Sequence, residues 1–137
     1  MKPLARICDG VSRVLFAASI PGRASIGKNV FFHHSGLGVV INAASVIGDN
    51  CEIGVHVVLG GQSSISGAPH LCQGVIVYAG AKLLGPIEIG EGAVVAANSV
   101  VLENVTPHTL VAGVPAIVKK TGLNGDQYRH DYLADNS

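Results

Sequence analysis

Aliphatic residues recur at every sixth position: Ile41, Ile47, Ile53, Leu59, Ile65, Leu71, Val77, Leu83, Ile89, Val95 and Val101. A step of six is neither the 3.6-residue period of a helix nor the plain alternation of a half-exposed strand. It describes a short strand and a turn, repeated. Three such units close a triangular coil of about eighteen residues, and coils stack at the roughly 4.8 Å spacing of hydrogen-bonded strands. The aliphatic positions then form ladders down the inside. Small residues often follow them, at Gly48, Gly54, Gly60, Gly90 and Ala96, and small or β-branched residues stand four places on at Ser45, Val57, Val75, Ala81, Ala93 and Ser99. The fold class this predicts is all-β, a left-handed parallel β-helix of hexapeptide repeats. Ile20, Ile26 and Phe32 keep the same step, which then slips by three before Ile41, so an insertion is expected between Phe32 and Ile41.

Composition supports a narrow coil. Nearly half the 137 residues are apolar, yet there are only three Phe, three Tyr and no Trp, against 18 Gly. Such a core must be built from Val, Ile, Leu and Ala packed closely. The formal net charge is zero and charged residues make up 13%, without a Lys/Arg run, which argues against a nucleic-acid partner. Cys8, Cys51 and Cys72 lack CxxC spacing or paired His, so neither a disulfide frame nor a zinc site is expected, and a reducing cytoplasm is the simplest setting. The apolar stretch 14–20 is too short for a membrane span.

The length fits one domain with two end covers. Leu4, Ile7, Val11, Val14 and Leu15 fall at helical spacing, with Arg6, Asp9 and Arg13 elsewhere. Residues 1–19 are therefore expected to form an amphipathic helical cap, the helix running from Pro3 to Ala18 under the first coil. The β-helix should occupy 20–117. Beyond Ile117 the sequence turns polar, and 118–137 reads as a tail lying on the surface or fraying.

Several strings carry a family resemblance over about residues 20–119. They are His33-His34 leading into Gly38-Val39-Val40-Ile41, then Val46-Ile47-Gly48-Asp49-Asn50, Val58-Leu59-Gly60-Gly61 and Ala79-Gly80-Ala81-Lys82-Leu83-Leu84-Gly85. Further on stand Ile89-Gly90-Glu91-Gly92-Ala93, Asn98-Ser99-Val100-Val101, Pro107-His108-Thr109 and Ala112-Gly113-Val114-Pro115-Ala116. The chain resembles the hexapeptide-repeat acyltransferases, in their serine acetyltransferase-like branch. The resemblance implies a homotrimer with acetyl-CoA in clefts between neighbouring β-helices, no metal, and His34 as general base toward an acceptor hydroxyl. It also places CoA against Gly61, Ala79 and Ala97, with Lys119 or Lys120 on a nucleotide phosphate. The branch has an Asp where His33 stands, a carboxylate where Ser19 stands, and an Arg-His pair whose His aligns with Ala68, in a loop that is shorter here. These departures weight the expected acceptor slightly toward a sugar of surface polysaccharide pathways, with serine as the alternative.

The chemistry fits the residues. A thioester is already activated, so the main needs are a base for the acceptor proton and donors for the oxyanion. An imidazole with a pKa near 6.5 suits the first, a role worth roughly 10²–10⁴-fold, and backbone N–H groups in Gly-rich turns suit the second. His34 lies in the insertion, which would lift it off the regular wall. His33 and His56 are expected at the acceptor site, and His70 as a stand-in for the displaced loop histidine; exposed corners are the plain alternative for His56 and His70. Tyr78 would narrow or line the groove. His108 and His130 read as structural or solvated. Two other classes stay open at this point. A γ-type carbonic anhydrase shares the architecture but needs two His five apart, and no His-x4-His occurs; a non-catalytic β-helix is the other.

Overall fold

The computed structural model describes residues 2–130 and shows a parallel β-helix in which nearly every rung is two or three residues long. The rungs are β1 (Ser25–Ile26), β2 (Phe31–Phe32), β3 (Val40–Ile41), β4 (Val46–Ile47), β5 (Glu52–Ile53), β6 (Val58–Gly60) and β7 (His70–Leu71). They continue as β8 (Ile76–Val77), β9 (Lys82–Leu84), β10 (Glu88–Ile89), β11 (Val94–Val95), β12 (Val100–Val101), β13 (Leu110–Gly113) and β14 (Ala116–Lys120). Three walls result: β1-β4-β7-β10, β3-β6-β9-β12, and β2-β5-β8-β11-β13-β14. Between these rungs every pairing is parallel except the β13-β14 hairpin.

Register explains the ladders. Ile26, Ile47, Leu71 and Ile89 stack on one wall, Ile41, Leu59, Leu83 and Val101 on the second, and Phe32, Ile53, Val77, Val95 and Val111 on the third. Most are fully buried, and each contributes roughly 1.5–3 kcal/mol by leaving water. Two corners turn through left-handed backbone, in successive coils at Asn29, Asn50, Gly74, Gly92 and His108, and at Gly38, His56, Gly80 and Asn98. The second stack is tight. A Cβ on Gly38 would lie 2.0 Å from His56 Nδ1, so the position admits only glycine without a shift.

Three expectations need correction. Ile65 is not a rung: it sits half-exposed in a surface loop from Gly61 to Pro69. The helix α1 (Pro3–Phe16) forms, but its apolar stripe faces outward. Its half-buried residues are Ala5, Asp9 and Ser12, while Leu4, Ile7, Val11, Val14 and Leu15 are all exposed. Small side chains allow the close approach that the larger ones would prevent. As far as His130 the segment after residue 117 lies on the surface, one of the two readings given for it, but the boundary at 117 is misplaced because β14 runs on to Lys120. The segment first completes β14 and then folds back over the third wall, burying Leu123 against Ile76 and Val94. The expected tail from 131 to 137 lies outside the described residues.

Among the described residues no helix is long and apolar enough to cross a membrane. All three cysteines are free thiols, and burial pushes that of Cys51 up to about 11, which keeps it protonated and unreactive near neutrality.

Candidate active site

The insertion after Phe32 folds as a tight turn, His33–Gly36, in which His34, Ser35 and Gly36 take left-handed φ angles of 48°, 59° and 72°. Backbone bonds fix it from both sides. Leu37 N–H donates to the His34 carbonyl, Gly38 N–H to the Phe16 carbonyl and Val39 N–H to the Gly36 carbonyl. His34 is thereby raised at a corner of the prism, with His33 beside it against the wall.

These two histidines line a cleft of about 200 Å³ with Gly54, Val55, Ile76, Val77, Tyr78 and Ala79. Its floor is apolar and its rim carries the imidazoles and a phenol, the arrangement of a small-molecule site with few polar anchors. Gly80 N–H donates to the Val55 carbonyl and Asn98 N–H to the Ala79 carbonyl, so Ala97 stands one coil beyond Ala79 at the same corner. His56 shares this corner, exposed, with its N–H on the Leu37 carbonyl. Lys82 braces the stack through the Gly80 carbonyl at 2.6 Å.

Of the expected site residues, one chain thus aligns His33, His34, His56, Ala79 and Ala97 at one corner. Gly61 lies at a different corner, as the first residue of the surface loop, and His70 points outward from the opposite wall, paired in register with Val46 and Glu88. Lys119 and Lys120 are exposed on β14, at the far end of the third wall.

Two contributors, Glu52 and Arg129, are absent from the sequence expectations, while Tyr78 lines the cleft as expected. Glu52 points outward from β5 yet is 4% exposed, because the returning segment covers it. Its Oε1 accepts from Arg129 Nη1 at 3.2 Å, and its Oε2 lies 3.5 Å from His33 Nε2. Arg129 also donates to the carbonyls of Asn50 at 2.8 Å and Gly74 at 3.1 Å, tying two coils together. Tyr78 OH donates to the Tyr128 carbonyl at 2.7 Å, and burial, with smaller contributions from Glu52 and Tyr128, raises its pKa. His33 packs edge-on against Phe31 and His130, with ring centres 5.1 Å and 5.8 Å away.

The bacterial transferase hexapeptide (six repeats) model matches residues 68–103. The chain is 38% identical to a serine acetyltransferase of Synechococcus elongatus over 134 residues, 96% of this chain and 54% of the relative. The chain carries hexapeptide transferase repeats and is similar to serine acetyltransferases over most of its own length. It is also 46% identical over 112 residues to a serine acetyltransferase of Salmonella typhimurium, covering 80% of this chain and 41% of that one. Among solved structures, a serine acetyltransferase from Brucella abortus in complex with coenzyme A superposes with a TM-score of 0.82 at 37% identity, covering 88% of this chain and 49% of that one. Soybean serine acetyltransferase complexed with serine gives 0.79 at 44%, with coverages of 85% and 49%. This hexapeptide-repeat chain spans about half the length of the curated relatives it matches.

Proposed function

We propose that the protein is an acetyl-CoA-dependent O-acetyltransferase whose acceptor is serine, with His34 as general base. The observation that carries this reading is a raised histidine over an apolar cleft, in a chain 37–46% identical to serine acetyltransferases, solved members of which hold coenzyme A or serine. The sugar acceptor favoured by the sequence departures gives way, since the relatives are serine acetyltransferases.

The reaction follows from the residues. Neutral His34 takes the acceptor's hydroxyl proton as the oxygen attacks the thioester carbonyl. Collapse of the tetrahedral adduct breaks the carbon–sulfur bond, and the departing thiolate recovers the proton from the imidazolium. Water exclusion by the apolar floor strengthens the polar contacts made there.

Acetyl-CoA would run along the corner from Ala79 past Ala97. From β8 to β14 is three strand spacings, or about 14 Å, which lets an extended pantetheine bring its nucleotide toward Lys119 and Lys120. Gly61, His70 and the 61–69 loop do not face this cleft in one chain, so their assigned roles require a neighbour, and a homotrimer supplies one at each cleft. A cytoplasmic setting suits both the substrate and the free thiols.

The test is thiol release from acetyl-CoA across a panel of acceptors. Serine should give the highest kcat/KM. A sugar alcohol exceeding serine tenfold, or no acyl transfer to any acceptor, overturns the reading, as does a monomer by light scattering for the trimer.

A further inference from the structure

Glu52 is out of place on its wall. The outward positions in register with it are Phe31, Ile76, Val94 and Leu110, all apolar, and the segment covering them contributes Leu123 and Tyr128. An apolar residue at 52 would pack there without complication. A buried carboxylate is costly unless its oxygens are paired, and here both are: Oε1 with Arg129, Oε2 with His33 and, at 3.5 Å, with the N–H of His130. Arg129 does not need Glu52 to be anchored, since two corner carbonyls already hold it. The partner that connects the carboxylate to chemistry is His33, which lines the cleft beside His34.

We infer that Glu52, held by Arg129, is a positioning residue that sets the tautomer and ring angle of His33 for binding the acceptor; this rests on the reading of the cleft as an acetyl-transfer site. A carboxylate 3.5 Å from Nε2, within ion-pair reach though longer than an ordinary hydrogen bond, favours the tautomer that turns an N–H toward it. Packing between Phe31 and His130 restricts the remaining rotation of the ring. The returning segment therefore completes the acceptor side of the site, through Glu52, without touching the acceptor itself.

The experiment is a double-mutant cycle on the full chain with serine as acceptor. Glu52→Gln and His33→Ala should each raise the serine KM by about tenfold while kcat and the acetyl-CoA KM stay within about twofold, the size expected for one charge-assisted hydrogen bond. The double variant should be no worse than His33→Ala alone. Should Glu52→Gln fail to fold, Glu52→Asp takes its place, with a serine KM raised about threefold in an otherwise intact enzyme. An unchanged KM in the Glu52 variant, or additive effects in the cycle, overturns the inference. A second readout needs no turnover: the ¹⁵N shifts of His33 should report an Nε2-protonated ring in the native chain and a mixture in Glu52→Gln. A mixture already present in the native chain overturns the positioning role. Absent acetyl transfer with the native Nε2-protonated pattern intact would instead sink the functional reading and leave the Glu52–His33 pair standing.

Discussion

The turn His33–Gly36 and the loop from Gly61 to Pro69 are both extra chain spliced into corners of the prism. Nine positions separate Phe32 from Ile41 and twelve separate Leu59 from Leu71, where six is usual. The shorter insertion is pinned by backbone bonds to α1 and to its own ends, packs Gly36 inside, and presses His33 against Glu52. The longer one closes mainly on itself through Ile65 N–H to the Gln62 carbonyl, and residues 61–67 are exposed. An insertion becomes a site when the coil dictates its backbone; left to itself it becomes a surface that another molecule can use.

The largest expected effect lies in the pinned turn. His34→Ala should lower kcat by about two to four orders of magnitude with the acetyl-CoA KM nearly unchanged, because the side chain is exposed and holds up nothing else. Steady-state kinetics checks this. Near-native turnover would remove His34 from the role of base.

Next in size is the hinge of the same turn. Gly38→Ala forces a Cβ into left-handed backbone and onto His56, and should cost about 1–3 kcal/mol by denaturant unfolding. Adding His56→Ala should restore the part due to the clash and leave the backbone strain.

The surface loop should behave differently. Excising residues 62–67 removes one whole six-residue step, so Leu59 and Leu71 come back into the ordinary spacing. The β-helix should survive with a stability change of about 1 kcal/mol or less, since the loss is exposed chain. A collapse of the thermal transition would show the loop to be structural. The smallest effect belongs to Ile65→Ser, expected within about 0.5 kcal/mol of the native chain, whereas a true rung such as Leu59 would cost about 2–5 kcal/mol on truncation to Ala.

That last pair shows how the sequence misleads. An insertion of three shifts the phase and announces itself between Phe32 and Ile41. An insertion of six restores the phase, and Ile65 then passes for a rung although it faces water. Elsewhere the repeat was a faithful guide, because each coil contacts only its neighbours and the local pattern determines the packing. His33 and His34 were legible for the same reason, standing where the pattern breaks. Glu52 was not: a polar outward residue on a strand is ordinary, and only Arg129, 77 positions later, makes it a buried one. The helix was legible as a helix but not in its orientation, since amphipathicity alone does not say whether Leu4 and Val11 or Ala5 and Asp9 approach the coil. Periodicity reports neighbours along the axis and is silent about segments that return across it.

The clamp formed by Arg129 also has a bearing on time. Coils that contact only adjacent coils can assemble as they leave the ribosome. Arg129 is made 79 residues after Asn50, whose carbonyl it grips, which at about 5–20 residues per second is a delay of roughly 4–16 s. During biosynthesis the wall bearing both histidines therefore stands for seconds before the guanidinium arrives to settle Glu52. A chain that ended before residue 129 would contain every rung of the coil but leave Glu52 without its guanidinium.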